Sequence, residues 1–123
     1  MRLSTLSLCL AALCLALPLQ AASSRILFNG GITADERDAA PDNGTKLEFF
    51  VVAGNYLSAV DVTVTDAAGN VVVSTRTAGP WLILDLSPGT YQVSATRQNG
   101  DTQGGAIEVA GAPAKYGFMF PDN

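Results

Sequence analysis

From Thr45 onward the apolar residues of this 123-residue chain recur at every second position, a pattern that suits a half-buried β-strand and no helix. Leu47, Phe49 and Val51 alternate with Lys46, Glu48 and Phe50, and Val60, Val62 and Val64 alternate with Asp61, Thr63 and Thr65. Turn residues separate these runs. Asp66-Ala67-Ala68-Gly69-Asn70 is a compact turn with Gly available for positive φ, and Val71-Val72-Val73 returns as the second arm of a hairpin. A further pair follows the same logic, with Trp81 to Leu86 as one arm, Ser87-Pro88-Gly89 as the turn, and Tyr91, Val93 and Ala95 as the inward face of the other arm. Asn99-Gly100-Asp101 turns the chain into a strand near Ala106 to Val109, and Tyr116, Phe118 and Phe120 share one face of a last strand. The spacing predicts an all-β, seven- to eight-stranded antiparallel β-sandwich, because the crossover helices of a parallel α/β sheet have no counterpart in the pattern.

The residues before Thr45 read differently. Ile26-Leu27-Phe28 is a short strand ended by Asn29-Gly30-Gly31. Thr33-Ala34-Asp35-Glu36 has capping-box spacing, in which the Thr hydroxyl accepts from the amide three residues on and the Glu carboxylate reaches back. Asp35 and Glu36 suit the positive end of the helix dipole, and Pro41 ends the segment. The expected organisation is a strand and short helix over 22–44 and the sandwich over 45–123.

Residues 1–21 read as a secretory leader. Arg2 is the only charge before Arg25, an apolar run extends from Leu6 to Leu17, and Ala21 and Ala22 offer small residues for cleavage. The run falls short of the ~20 residues a spanning helix needs, so the expectation is a cleaved leader and no membrane span after cleavage. Both cysteines, Cys9 and Cys14, lie in the leader, which leaves the exported domain without a thiol. A cysteine-free domain of roughly a hundred residues relies on burial alone, and export of that kind fits a bacterial periplasm.

Charge and composition exclude several classes of function. Outside the leader stand 6 basic and 11 acidic residues, with no basic stripe to neutralise phosphates, so nucleic acid is not an expected partner. The chain has no His, which together with the missing mature thiol removes Ser-His-Asp and Cys-His nucleophile systems and nearly all transition-metal sites. No cofactor is expected. Carboxylates are the only acid–base candidates: Asp61 and Asp85 are placed to face a partner, and neither has a neighbouring acid in the sequence to raise its pKa. Asp35, Asp38 and Asp42 fall near helical spacing on one face, yet lack the EF-hand alternation, so they read as a solvated face.

The most specific stretch is Leu84-Asp85-Leu86-Ser87-Pro88-Gly89-Thr90-Tyr91-Gln92-Val93, preceded by Gly79-Pro80-Trp81 and by a hairpin with Val62, Val64, Asp66, Gly69 and Val71. Here the chain resembles the carboxypeptidase regulatory-like domains of the transthyretin-like β-sandwich superfamily. The resemblance covers about Lys46 to Val109. Gly30-Gly31-Ile32, Asp35-Glu36-Arg37 and Gly54-Asn55-Tyr56-Leu57 further resemble small bacterial periplasmic members of that group. It implies a sandwich fold, Gly89 as a turn residue, Tyr91 as a core residue, and an accessory role. The catalytic relatives depend on histidines or zinc ligands that this chain lacks. The resulting expectation is a non-catalytic module that binds a protein through a sheet edge or the Trp81 region. A carbohydrate-binding module is the alternative, and it requires three or more of Phe50, Tyr56, Trp81 and Tyr116 on one flat exposed face. If Leu82, Leu84 and Leu86 face the core, then Trp81, Ile83 and Asp85 face outward, and Trp81 with Ile83 makes an apolar patch. These three residues and Tyr56 are the candidate binding residues. Coverage of that strand by the N-terminal helical segment is the competing expectation.

Overall fold

The computed structural model describes residues 24–122, so the leader expected over residues 1–21 lies outside the described residues. Eight strands and one short helix follow in order: β1 (Ser24–Gly30), α1 (Ala34–Ala39), β2 (Thr45–Val51), β3 (Asp61–Thr65), β4 (Val71–Arg76), β5 (Trp81–Leu86), β6 (Gly89–Thr96), β7 (Thr102–Val109) and β8 (Ala114–Phe120). They form two four-stranded sheets, one in the order β1-β5-β2-β8 and the other β4-β3-β6-β7, so the chain is the all-β sandwich its periodicity predicts. Among the described residues no helix is long and apolar enough to cross a membrane.

The core is built from the inward half of each alternation. Leu47, Phe49, Leu82, Leu84 and Phe120 of the first sheet meet Val62, Val64, Val93 and Ile107 of the second, all nearly inaccessible to solvent. The rings of Phe49 and Phe118 stack with centroids 5.6 Å apart across the β2·β8 ladder. Apolar area removed from water in this way is the principal stabilising term for a domain without disulfides.

Tertiary pairing departs from the sequence pattern in three places. Ser87-Pro88-Gly89 is not a hairpin turn, because β5 pairs with β1 and β2 whereas β6 pairs with β3 and β7. The segment instead carries the chain from one sheet to the other, which keeps the apolar faces of both strands turned inward. Gly89, with φ 156°, is the first residue of β6 opposite Val109, rather than the positive-φ corner of a type II turn. The tie across the crossing is Tyr91, buried, whose hydroxyl donates to the Ser87 carbonyl at 2.6 Å. Secondly, β8 runs parallel to β2, in register from Thr45 opposite Ala114 to Val51 opposite Phe120, while every other ladder is antiparallel. Thirdly, the N-terminal strand is not separate from the sandwich. β1 is an edge of the first sheet, paired with β5 from Ser24 opposite Leu86 to Gly30 opposite Trp81. Asn29 fastens that edge to the second sheet: its Oδ1 accepts from the Ala78 amide at 2.7 Å and its Nδ2 donates to the Arg76 carbonyl at 3.1 Å.

The helix forms where the capping residues place it. Thr33 Oγ1 accepts from the Glu36 amide at 3.1 Å, as the capping box requires. The return bond lands further out, since Glu36 Oε1 accepts from the amides of Gly31 and Ile32, both at 2.9 Å. Arg37 closes the same loop from the other side, donating to the carbonyls of Gly31 at 2.7 Å and Ile32 at 3.1 Å.

Candidate functional site

The outward face of the first sheet carries the sequence-selected residues. Trp81, Ile83 and Asp85 do alternate outward on β5, since Leu82, Leu84 and Leu86 are buried in the core. The exposed Trp–Ile patch does not exist, however. Ile83 is 1% exposed, because Phe28 lies opposite it on β1 and the chain before β2 packs over it. A Cβ built on Gly44 would stand 3.3 Å from Ile83 Cγ2 and only 2.7 Å from the Leu84 carbonyl oxygen, and Gly44 holds φ at 87°. Only a glycine lets the backbone lie so close on the sheet.

Trp81 is half-buried between two neighbours. The backbone at Gly31 approaches its ring, where a Cβ would come within 3.3 Å of Trp81 Cγ, and the Lys46 ammonium stands 3.7 Å from the ring centroid. That is a close cation–π contact. The indole Nε1–H is shut off from solvent and finds no acceptor among the described residues. Asp85 lies at the far end of β5, opposite Arg25, whose Nε donates to its Oδ2 at 3.1 Å. It is therefore a surface ion pair, away from Trp81.

Tyr56 is placed in a different setting. It is 53% exposed, forms an isolated bridge to Phe50, and has the Arg37 guanidinium 5.4 Å from its ring centroid. Ile32 shares a small recess with it. Phe50 in turn lies opposite Met119 across the β2·β8 ladder, and Val52 follows two residues later. Ile32, Val52, Tyr56 and Met119 are four of the six exposed large apolar side chains among the described residues. The exposed apolar surface thus centres on Tyr56 and Phe50, where covering by the α1 loop ends. Ser74, Thr63, Ser94, Gln92 and Thr90 show the contrast, lying on the outer side of the second sheet.

The aromatic platform required for sugar stacking is not formed. Of the four rings, only Tyr56 is well exposed. Tyr116 points to the inner side of β8, where its hydroxyl donates to the Glu108 carbonyl at 2.8 Å and accepts from the Glu108 amide at 3.2 Å. Those two bonds occupy the outward main-chain groups of β7 at that residue and blunt the sheet edge there.

The remaining acid–base candidates are engaged with cations or solvated. Arg76 donates to both oxygens of Asp61, at 2.8 and 3.2 Å, and these hydrogen bonds hold the exposed carboxyl below its ordinary range. Asp35, Asp38 and Asp42 are exposed, and among the described residues no three His, Cys, Asp or Glu side chains gather to hold a metal ion.

One cleft of about 360 Å³ opens beside the covered part of the face, between the α1 segment and the start of β8. Trp81, Ile83, Arg37, Lys46 and Lys115 line it, with Asp42 its only acidic residue. The sequence reading missed Lys46 and Lys115. Lys46 was legible as an outward position of β2, but Lys115 joins it only through the parallel ladder. Compared with known proteins, the chain matches no family model and no curated protein sequence.

Proposed function

We propose that the chain is a non-catalytic, exported accessory module of the transthyretin-like, carboxypeptidase regulatory-like kind, which binds a protein partner in the periplasm. The observation that carries this reading is the gathering of Ile32, Val52, Tyr56 and Met119 around Phe50 at one end of a sheet whose outer face is covered at Ile83 and partly covered at Trp81. Apolar patches of this kind, rimmed by polar residues, mark interaction sites on small domains, and Tyr is enriched among residues that dominate binding energy. The binding centre moves accordingly from Trp81 and Ile83 to Tyr56. Leader-directed export rests on the apolar run from Leu6 to Leu17 and the small residues Ala21 and Ala22.

Two measurements test the reading. Intact mass of the protein recovered from the periplasm is expected to place the mature N-terminus within a residue or two of Ala22, and a full-length mass overturns the export. A photo-reactive side chain at Tyr56 or Met119 is expected to capture one discrete protein in living cells, whereas the same group at Ser94 captures none. Equal capture from both faces overturns the assigned surface.

A further inference from the structure

We infer that the cleft beside Trp81 binds the carboxylate of a small hydrophobic acid or of a chain terminus, held between Lys46 and Lys115. The inference extends the proposed function to a second, chemically distinct site on the same sheet, and rests on four observations.

The first is the distribution of charge. Outside the leader the chain carries 6 basic against 11 acidic residues, yet three of those cations and one acid line this cleft. The other three cations are matched elsewhere: Arg25 with Asp85, Arg76 with Asp61, and Arg97 with Asp101. The second is register. Lys46 and Lys115 are direct neighbours across the parallel β2·β8 ladder, so two cationic side chains leave adjacent strands on the same face. Like charges in that position repel. Glu48 lies 3.7 Å from Lys46 and offsets part of the repulsion. Among the described residues Lys115 has no such counter-charge, and a ligand anion between the two amines supplies it.

The third observation is the indole. Lys46 is held over the Trp81 ring at 3.7 Å, a cation–π contact that fixes one amine at the aromatic wall of the cleft. The fourth is the wall: Ile83, Pro41 and Pro113 are apolar, and the volume is at the small end of the ~300–1,000 Å³ range of ligand sites. Two amines beside an aromatic and apolar wall suit an acid with one ring or a short aliphatic body. Charge-assisted bonds from the amines fix the carboxylate, and the wall takes the body.

The chain contains a single Trp, so its indole N–H resonance reports on this site alone. N-acetylphenylalanine, titrated into the purified exported chain labelled with nitrogen-15, is expected to move that resonance saturably, while its uncharged amide leaves it in place. Lys115→Ala is expected to weaken the acid by about tenfold or more, the loss of one charge-assisted bond. Arg76→Ala, which removes a cation from the opposite sheet, is expected to bind as the parent does. Lys115 is exposed, so the variant should fold, and without ligand at low ionic strength it is expected to be at least as stable as the parent. A peptide ending in phenylalanine with a free carboxylate separates the sources. Tighter binding than the free acid identifies a partner's C-terminus, and competition by the acid alone identifies a small-molecule ligand. Equal binding of acid and amide, unchanged affinity in Lys115→Ala, or an indole resonance that no acid moves overturns the inference. Capture through Tyr56 is independent of these results, so the cleft can fail while the proposed partner surface stands.

Discussion

Replacing Tyr91 tests whether the link between the two sheets is a structural element of the fold. The ring is 6% exposed, and its hydroxyl donates to the Ser87 carbonyl at 2.6 Å, across the segment that carries the chain from β5 to β6. Burying an aromatic side chain of roughly 150 Å² at about 25 cal/mol per Å² is worth about 4 kcal/mol. Tyr91→Ala removes most of that and leaves a cavity, so the expected loss is about 3–5 kcal/mol. Tyr91→Phe keeps the ring and loses only the hydrogen bond, for about 1 kcal/mol. Urea denaturation followed by circular dichroism checks both, with the m-value confirming that the unfolding reaction is unchanged. A loss below about 1 kcal/mol in Tyr91→Ala refutes the reasoning, because it would put the ring on the surface. An alkaline titration adds a second reading. Burial, with a smaller contribution from Asp66, pushes the Tyr91 pKa above its ordinary value of 10.0. The unfolded chain therefore loses this proton first as pH rises. The folded chain keeps the stability of the neutral phenol below about pH 10 and loses it above. Tyr91→Phe removes this component, so the difference between the parent and the variant should shrink as pH rises beyond 10.

Two further substitutions probe close approaches in the second sheet. Gly104→Ala places a Cβ 2.4 Å from the Val93 carbonyl oxygen and is expected to cost about 1–3 kcal/mol, whereas Gly105→Ala meets open space and should be neutral or slightly stabilising. Chemical denaturation of the pair decides it, and equal effects at the two positions contradict the geometry. Thr77, 3% exposed, accepts the Val60 amide on its Oγ1 at 3.0 Å. Thr77→Val strands that buried donor for about 1–3 kcal/mol, while Thr77→Ser retains the acceptor and should lose less. Thermal unfolding of both variants tests this, and Thr77→Val as stable as the parent sinks it.

How much of the candidate site was legible depended on whether its residues lie on one strand or on several. Alternation along β5 placed Trp81, Ile83 and Asp85 on the outward face, and the structure keeps them there. Alternation says which way a side chain points and nothing about what lies above it. Ile83 is buried because Gly44 and its neighbours cross the sheet at a distance only glycine permits. Tyr56 becomes the exposed aromatic because the bridge to Phe50 sets it at the end of the face, past the covering loop.

The amino-acid sequence by itself determined the strands, the capped helix and the absence of histidine chemistry, because these follow from local periodicity, from short-range hydrogen bonding and from residue type. The same period of two also specified which half of each strand enters the core. Only the tertiary structure decided which strands are neighbours. Ser87-Pro88 could serve a hairpin or a passage between sheets with the same residues facing inward, and the structure takes the second. Pairing of β2 with β8 brings Lys46 beside Lys115 although 69 positions separate them in the chain. Ladder partners so distant are selected by the packing of whole sheets, which no local pattern encodes, and the cationic cleft exists only through that choice.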